Sequence, residues 1–159
     1  MAVNPVIGRR LLMACAVLVS AVVLTLTIGV IPLVRDGVFT SIDAGDAVPA
    51  FRIAQGVHLL VALVFALMAA LWKPSRALST PGLVVMGVVV LLLGGVLADA
   101  TLAFGEAGIS ARTVTLLLVT CVAADAFAGV LTITTAFLRA NTASGSLTGA
   151  SGGRTGAVG

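Results

Sequence analysis

TVTLLLVTCVAADAFAGVLTITTAFL, residues 113–138, is the stretch of sequence that decides the fold. It exceeds the ~20 residues that a helix needs to cross the hydrocarbon core of a bilayer. Its one charged residue, Asp125, stands at the midpoint. Because a charge at the centre of a membrane costs about 2.5–3.5 kcal/mol on insertion scales, we expect Asp125 to face protein or water and not lipid.

Three further stretches have the same apolar character: Leu11–Val34, Ile53–Trp72 and Gly82–Gly105. The chain of 159 residues is 60% hydrophobic and 9% charged. No soluble domain of this size hides so much apolar surface. We therefore predict an all-α, polytopic membrane protein, an antiparallel bundle of four transmembrane helices in the cell membrane.

Little of the chain is left outside the predicted membrane domain, which covers residues 11–139. Residues 1–10 form a cytoplasmic N-terminal segment, and residues 140–159 form a Gly/Ser/Thr-rich cytoplasmic tail that we predict to be disordered. Residues 35–51, RDGVFTSIDAGDAVPAF, are predicted to be the longest ordered loop because glycine, aspartate and proline favour turns. There is no room for a soluble enzyme domain.

Basic residues are divided unevenly between the two sides of the predicted bundle. Six fall on one side and three on the other: Arg9, Arg10, Lys73, Arg76, Arg139 and Arg154 against Arg35, Arg52 and Arg112. Since cytoplasmic segments carry an excess of lysine and arginine, this distribution predicts that both termini are cytoplasmic. The net charge of +3 then reflects topology and contact with membrane lipid. No basic patch interleaved with aromatic residues indicates nucleic-acid binding.

Small and polar residues form one stripe along the fourth predicted span, spaced by four, three, four and three positions: Cys121, Asp125, Ala128, Thr132 and Thr135. Residues at these spacings share one face of a helix. We expect this helix-packing stripe to face the interior, because small residues let membrane helices approach closely. In the third span, Gly94 and Gly95 predict close packing against the fourth span, with a hinge as the alternative.

The second and third spans each contribute one further ionisable residue. His58 lies six positions from Arg52, and Asp99 lies six positions from Gly105. Both are therefore expected about 9 Å inside the outer ends of their helices. Because consecutive spans usually pack together, we predict a His58–Asp99 pair in the outer leaflet, with Asp125 deeper.

Two interpretations of Asp125, Asp99 and His58 stay open. In the first, they form an ion or proton site, because histidine and a desolvated aspartate can both exchange protons near neutral pH. In the second, each polar side chain holds helices together or meets a partner subunit. No acidic or basic residue lies in the inner half of any predicted span, which argues against a complete proton path.

Two cysteines, Cys15 and Cys121, are expected about 15 Å apart in depth, too far for a disulfide. We interpret both as buried small apolar residues. No cysteine and histidine spacing indicates a metal site. Spacings typical of a catalytic triad or a nucleotide loop are missing as well, so no catalytic residue is predicted.

The order LVRDG, residues 33–37, followed by QGVHLLVAL, residues 55–63, resembles one half of a haem A synthase. That resemblance implies a four-helix unit with a histidine at this depth and haem as a cofactor. The chain departs from the family pattern: Gln55 or Ala54 replaces the glutamate before the histidine, loop cysteines are missing, and the fourth span has no histidine. Bis-histidine ligation would then need a dimer that pairs two copies of His58.

Three classes of function follow from the sequence. The first is an accessory or assembly subunit of a larger membrane complex, without catalytic activity or cofactor, in contact with other membrane subunits or with copies of itself. The second is a small oligomeric proton- or cation-linked transporter or channel that uses Asp125 with Asp99 and His58. The third is a haem-related membrane protein. The small size and the Ala/Gly-rich helix faces favour the first.

Overall fold

The computed structural model describes residues 5–37, 43–71, 80–107 and 111–149, and the regular structure in these ranges is helical. The elements in chain order are α1 (Pro5–Leu24), a π-helical turn (Thr25–Val30), α2 (Ile31–Asp36), α3 (Ala44–Ala70), α4 (Thr80–Glu106) and α5 (Arg112–Gly149). Outside the described residues lie Trp72, Lys73, Arg76 and Arg154, on which part of the predicted topology rests.

Four helical segments are long and apolar enough to cross a membrane: Ile7–Asp36, Gly45–Ala70, Thr80–Glu106 and Arg112–Leu138. The first of them runs through α1, the π-helical turn and α2 without a break. Many large apolar side chains point outward from these segments, such as Leu63, Leu92 and Phe127. In water such a surface would aggregate, whereas in a bilayer it contacts lipid. The chain is thus a helical protein with four candidate membrane spans.

Helix α3 begins at Ala44, nine residues before the predicted start of the second span. Asp43 caps it, because its side-chain oxygen accepts a hydrogen bond of 2.7 Å from the backbone N–H of Gly45. Pro49 stands in the second turn and removes only one backbone hydrogen bond there. Residues 44–51 are therefore helical and not part of a loop, and the midpoint of the span moves from near residue 62 to His58.

Helix α5 also extends beyond its predicted end. The segment predicted to be disordered from residue 140 is helical as far as Gly149. No glycine or proline interrupts residues 130–144, and adding a residue to an existing helix needs no new nucleation. Residues 150–159 lie outside the described residues.

The helices pack in an order that differs from their order in the chain. Helix α3 packs along α1, α1 packs along α5, and α5 packs along α4. Helices α3 and α4 are consecutive but have few contacts with each other. Between them runs an apolar groove of about 220 Å³, lined by small side chains such as Ala50, Ala54 and Ala100.

Two apolar clusters fill the interior, one on each side of the span midpoints. The first includes Leu12, Phe65 and Leu83. The second includes Leu118 and the ring pair of Phe51 and Phe104, whose centroids are 5.9 Å apart. No residue belongs to both clusters, and the buried side chains of His58 and Asp125 lie between them.

Glycines bring α4 and α5 into close contact. A Cβ atom placed on Gly87 would lie 3.1 Å from the carbonyl oxygen of Gly129, and a Cβ on Gly129 would lie 3.1 Å from that of Gly87. Seven residues further along α4, Gly94 faces the Cβ of Asp125. Along this contact, residue numbers on α5 therefore fall as residue numbers on α4 rise.

Candidate functional site

Three residues of different helices share one level in the structure. His58, Gly94 and Asp125 each lie within one residue of the midpoint of their span. Of all levels of the interior, this one lies farthest from both ends of the helices. The sequence predicts this position for Asp125, but it places His58 nearer the end of its helix, because the early start of α3 at Ala44 is not evident from hydropathy.

His58 and Asp125 form a buried pair. The Nε2 atom of His58 lies 3.0 Å from Oδ2 of Asp125, and the two side chains are 1% and 0% exposed. The pair joins α3 to α5 across the interior. Gly94 makes space for it, since a Cβ at this position would lie 3.1 Å from the Cβ of Asp125.

The hydrogen bond of the second ring nitrogen of His58 limits the protonation states that the pair can adopt. Nδ1 is 2.7 Å from the carbonyl oxygen of Ala54, and because a carbonyl oxygen only accepts, Nδ1 donates in this bond. Nε2 therefore either accepts from a protonated Asp125 or donates to an ionised one. In both states the contact holds one proton and the pair has no net charge, which lowers the cost of burying it.

The other carboxyl oxygen of Asp125 has no hydrogen-bond partner. Oδ1 is the one buried side-chain oxygen or nitrogen in the described ranges of which this is true. An unsatisfied buried acceptor costs about 1–3 kcal/mol. An additional hydrogen-bond donor placed in the interior would therefore be stabilised at this oxygen.

The helix-packing stripe of α5 lies in the interior. Cys121, Ala128, Thr132 and Thr135 are all buried. Thr132 Oγ1 donates to the carbonyl oxygen of Ala128 over 2.7 Å. The thiol of Cys15 lies 3.4 Å from Thr132 Oγ1, so the stripe forms the contact between α5 and α1. Both cysteines are free and buried.

Asp99 does not join this site. It is exposed on α4, five residues from Gly94, and the described part of the chain offers it no hydrogen bond or ion pair. The predicted His58–Asp99 pair does not form, because α3 packs against α1 rather than α4 and His58 meets α5 instead. Gly95 is exposed beside Asp99, and a Cβ there would meet no atom within 4 Å. It therefore does not pack against α5 as predicted.

A second polar link connects α3 to the first span. Gln55 Nε2 donates to Thr27 Oγ1 over 2.7 Å, and Thr27 Oγ1 donates to the carbonyl oxygen of Val23 over 2.6 Å. Thr27 lies in the π-helical turn. Both residues stand out in the sequence as polar side chains in apolar spans, but the π-helical turn that places Thr27 opposite Gln55 has no signal in the sequence.

Comparisons of the chain with protein-family models, with curated proteins and with solved structures give no match. The resemblance to one half of a haem A synthase therefore rests on residues 33–37 and 55–63 alone. Its expected ligand, His58, has both ring nitrogens in hydrogen bonds. Iron ligation would require one of these nitrogens to leave its hydrogen-bond partner, Ala54 or Asp125.

Proposed function

We propose that this protein is an accessory or assembly subunit of a larger membrane complex, without catalytic activity of its own. It would span the cell membrane as an antiparallel four-helix bundle with both termini in the cytoplasm. The opposite numbering of the α4–α5 contacts supports antiparallel helices. The excess of basic residues near the termini supports their cytoplasmic location.

The observation that carries this proposal is the exposure of Asp99. This carboxylate lies seven residues from the end of α4 at Glu106, which corresponds to about 10 Å along the helix. Since α4 is about 40 Å long and a hydrocarbon core about 30 Å thick, Asp99 would lie about 5 Å below the headgroups if the helix is centred, beyond the reach of its short side chain. Since an ionisable residue in a membrane span almost always faces protein or water, the exposure of Asp99 supports a contact surface for another subunit on this face of α4.

The closed interior supports a structural role. In the described ranges the buried acidic and basic side chains are His58 and Asp125, and they neutralise each other. The remaining buried polar side chains, Thr132 and Thr135, donate to carbonyl oxygens of their own helix. These residues supply neither a nucleophile with an adjacent base nor a polar path from the pair to either end of the helices.

Affinity purification tests the proposal. The tagged chain is extracted from its native membranes in mild detergent, with Asp99→Asn and Asp99→Leu as variants and Glu106→Gln as the control at the exposed end of the same helix. We expect partner subunits with the wild type and the control, and their loss with both Asp99 variants. A chain that purifies without any other protein and without an untagged second copy of itself, or a partner that stays bound to Asp99→Leu, would contradict the proposal.

One observation favours the transporter as a second candidate. The unpaired Oδ1 of Asp125 is an acceptor at the midpoint of the spans, where a transported proton or cation would meet it. Asp99 would not take part, because it faces outward. Flux of protons and cations into vesicles that contain the purified chain tests this candidate, and equal flux with Asp125→Asn would exclude the carboxylate mechanism.

A further inference from the structure

Two exposed charges of opposite sign lie at matching levels on different helices. Taking His58 and Gly94 as the common level, Arg52 is six residues away on α3 and Asp99 is five residues away on α4. These separations correspond to about 9 Å and about 7.5 Å along the helices. Both lie toward the same end of the molecule, as the contact between Phe51 and Phe104 shows.

Each of these charges has an exposed glycine one turn closer to the midpoint. Gly56 follows Arg52 by four residues, and Gly95 precedes Asp99 by four, so each pair shares one helix face. A Cβ on either glycine would meet no atom within 4 Å. Exposed small residues of this kind let another membrane helix approach closely. Along the helices, Gly56 therefore lies level with Gly95, and Arg52 with Asp99, to within about 1.5 Å.

The two charges do not pair within one chain. The structure contains no ion pair between Arg52 and Asp99, both of which it describes. On α3 the groove toward α4 is lined by Ala50, Phe51 and Ala54, and Arg52 lies on another face of that helix. Its guanidinium is thus available to a neighbouring molecule.

Other exposed cations with described side chains do not match Asp99. Arg35 is already paired with Asp36 over 2.8 Å. Arg112 is thirteen residues from Asp125, about 20 Å along α5 and far beyond the level of Asp99. Arg9 and Arg10 stand at the start of α1, where Cys15 already meets Thr132 on the opposite side of the midpoint.

We propose that Asp99 contacts Arg52 of a second copy of this chain, with the Asp99–Gly95 face of α4 against the Arg52–Gly56 face of α3. This inference rests on the proposed function, in which the Asp99 face is a subunit contact, and it names the partner. The ion pair removes an uncompensated carboxylate from lipid, and the glycines bring the two helices close enough to form it.

Charge exchange tests this contact. The chain is purified alone and placed in lipid nanodiscs or mild detergent. The mass of the resulting oligomer or monomer is measured for the wild type, Arg52→Asp, Asp99→Arg and the double variant. We expect an oligomer for the wild type, loss of the oligomer in each single variant and its return in the double variant. Arg112→Asp is the control and should leave the oligomer intact.

Cross-linking provides a second measurement that does not depend on reversing a charge. Copies with Gly56→Cys and copies with Gly95→Cys are reconstituted together and treated with a mild thiol oxidant, and we expect a disulfide-linked dimer between them. Gly105→Cys replaces Gly95→Cys in the control, because a Cβ at this exposed position also meets no atom within 4 Å but lies eleven residues from Gly94. No cross-link is expected there.

The outcomes separate this inference from the proposed function. A monomeric wild type, or a double variant that stays monomeric while Gly56 and Gly95 fail to cross-link, overturns the inference. If the chain is monomeric but Asp99→Asn releases a different protein during purification from native membranes, the proposed function stands and the inference fails. If Asp99 substitutions change neither result, both are overturned.

Discussion

His58 and Asp125 meet at 3.0 Å where two apolar clusters end, and they join α3 to α5, which are not neighbours in the packing order. A polar pair in this position selects one arrangement of the helices, because sliding or rotating either helix would leave two buried groups without partners.

Removing both members of the pair should destabilise the protein less than the sum of the two single removals. Asp125→Leu leaves Nε2 of His58 buried without a partner, and His58→Leu leaves the carboxyl group in the same condition, so each should cost about 1–3 kcal/mol. The double variant should cost less than the sum of the two, with a coupling of about 0.5–3 kcal/mol. Unfolding in detergent measures all three free energies. Additive effects would show that the contact contributes no stability.

Asp125→Asn should be tolerated better than Asp125→Leu. The amide group of asparagine can donate to Nε2, while Nδ1 keeps its proton for the carbonyl oxygen of Ala54. We expect this variant to retain about 1–3 kcal/mol of stability that the leucine variant loses. Nitrogen NMR of His58 should show Nδ1 protonated in the asparagine variant. A proton on Nε2 alone would contradict the proposed arrangement.

Two adjacent glycines should respond to alanine in opposite ways. At Gly94 a Cβ would lie 3.1 Å from the Cβ of Asp125, so Gly94→Ala must displace the aspartate or α4 and should cost about 1–3 kcal/mol. At Gly95 the space within one chain is open, and in the isolated monomer Gly95→Ala should stabilise the helix by about 0.5–1 kcal/mol. Thermal unfolding of the two variants side by side is the measurement. Equal effects would place both glycines in the same environment.

The sequence predicts four spans and the interior position of Asp125, because both follow from hydropathy and from the cost of a charge in lipid. It does not predict which helices are neighbours, since the packing order depends on glycines such as Gly87 and Gly129, whose contacts lie 42 positions apart in the chain. The partner of His58 follows from that order. The level of His58 depends on the capping of α3 by Asp43, which a hydropathy pattern does not register.

Asp99 and Asp125 should respond to leucine with opposite signs. Both are single carboxyl groups in apolar helices, but Asp125 is buried beside His58 and Asp99 faces outward. In the isolated monomer, Asp99→Leu replaces a carboxylate in lipid or detergent by an apolar side chain. It should raise stability, by less than the about 2.5–3.5 kcal/mol that a charge costs at the centre of a span, because Asp99 lies off the centre. Unfolding of monomeric Asp99→Leu, compared with Asp125→Leu under the same conditions, is the measurement. If Asp99→Leu lost as much stability as Asp125→Leu, Asp99 would have a partner within its own chain, and its face of α4 would not be a contact surface for another subunit.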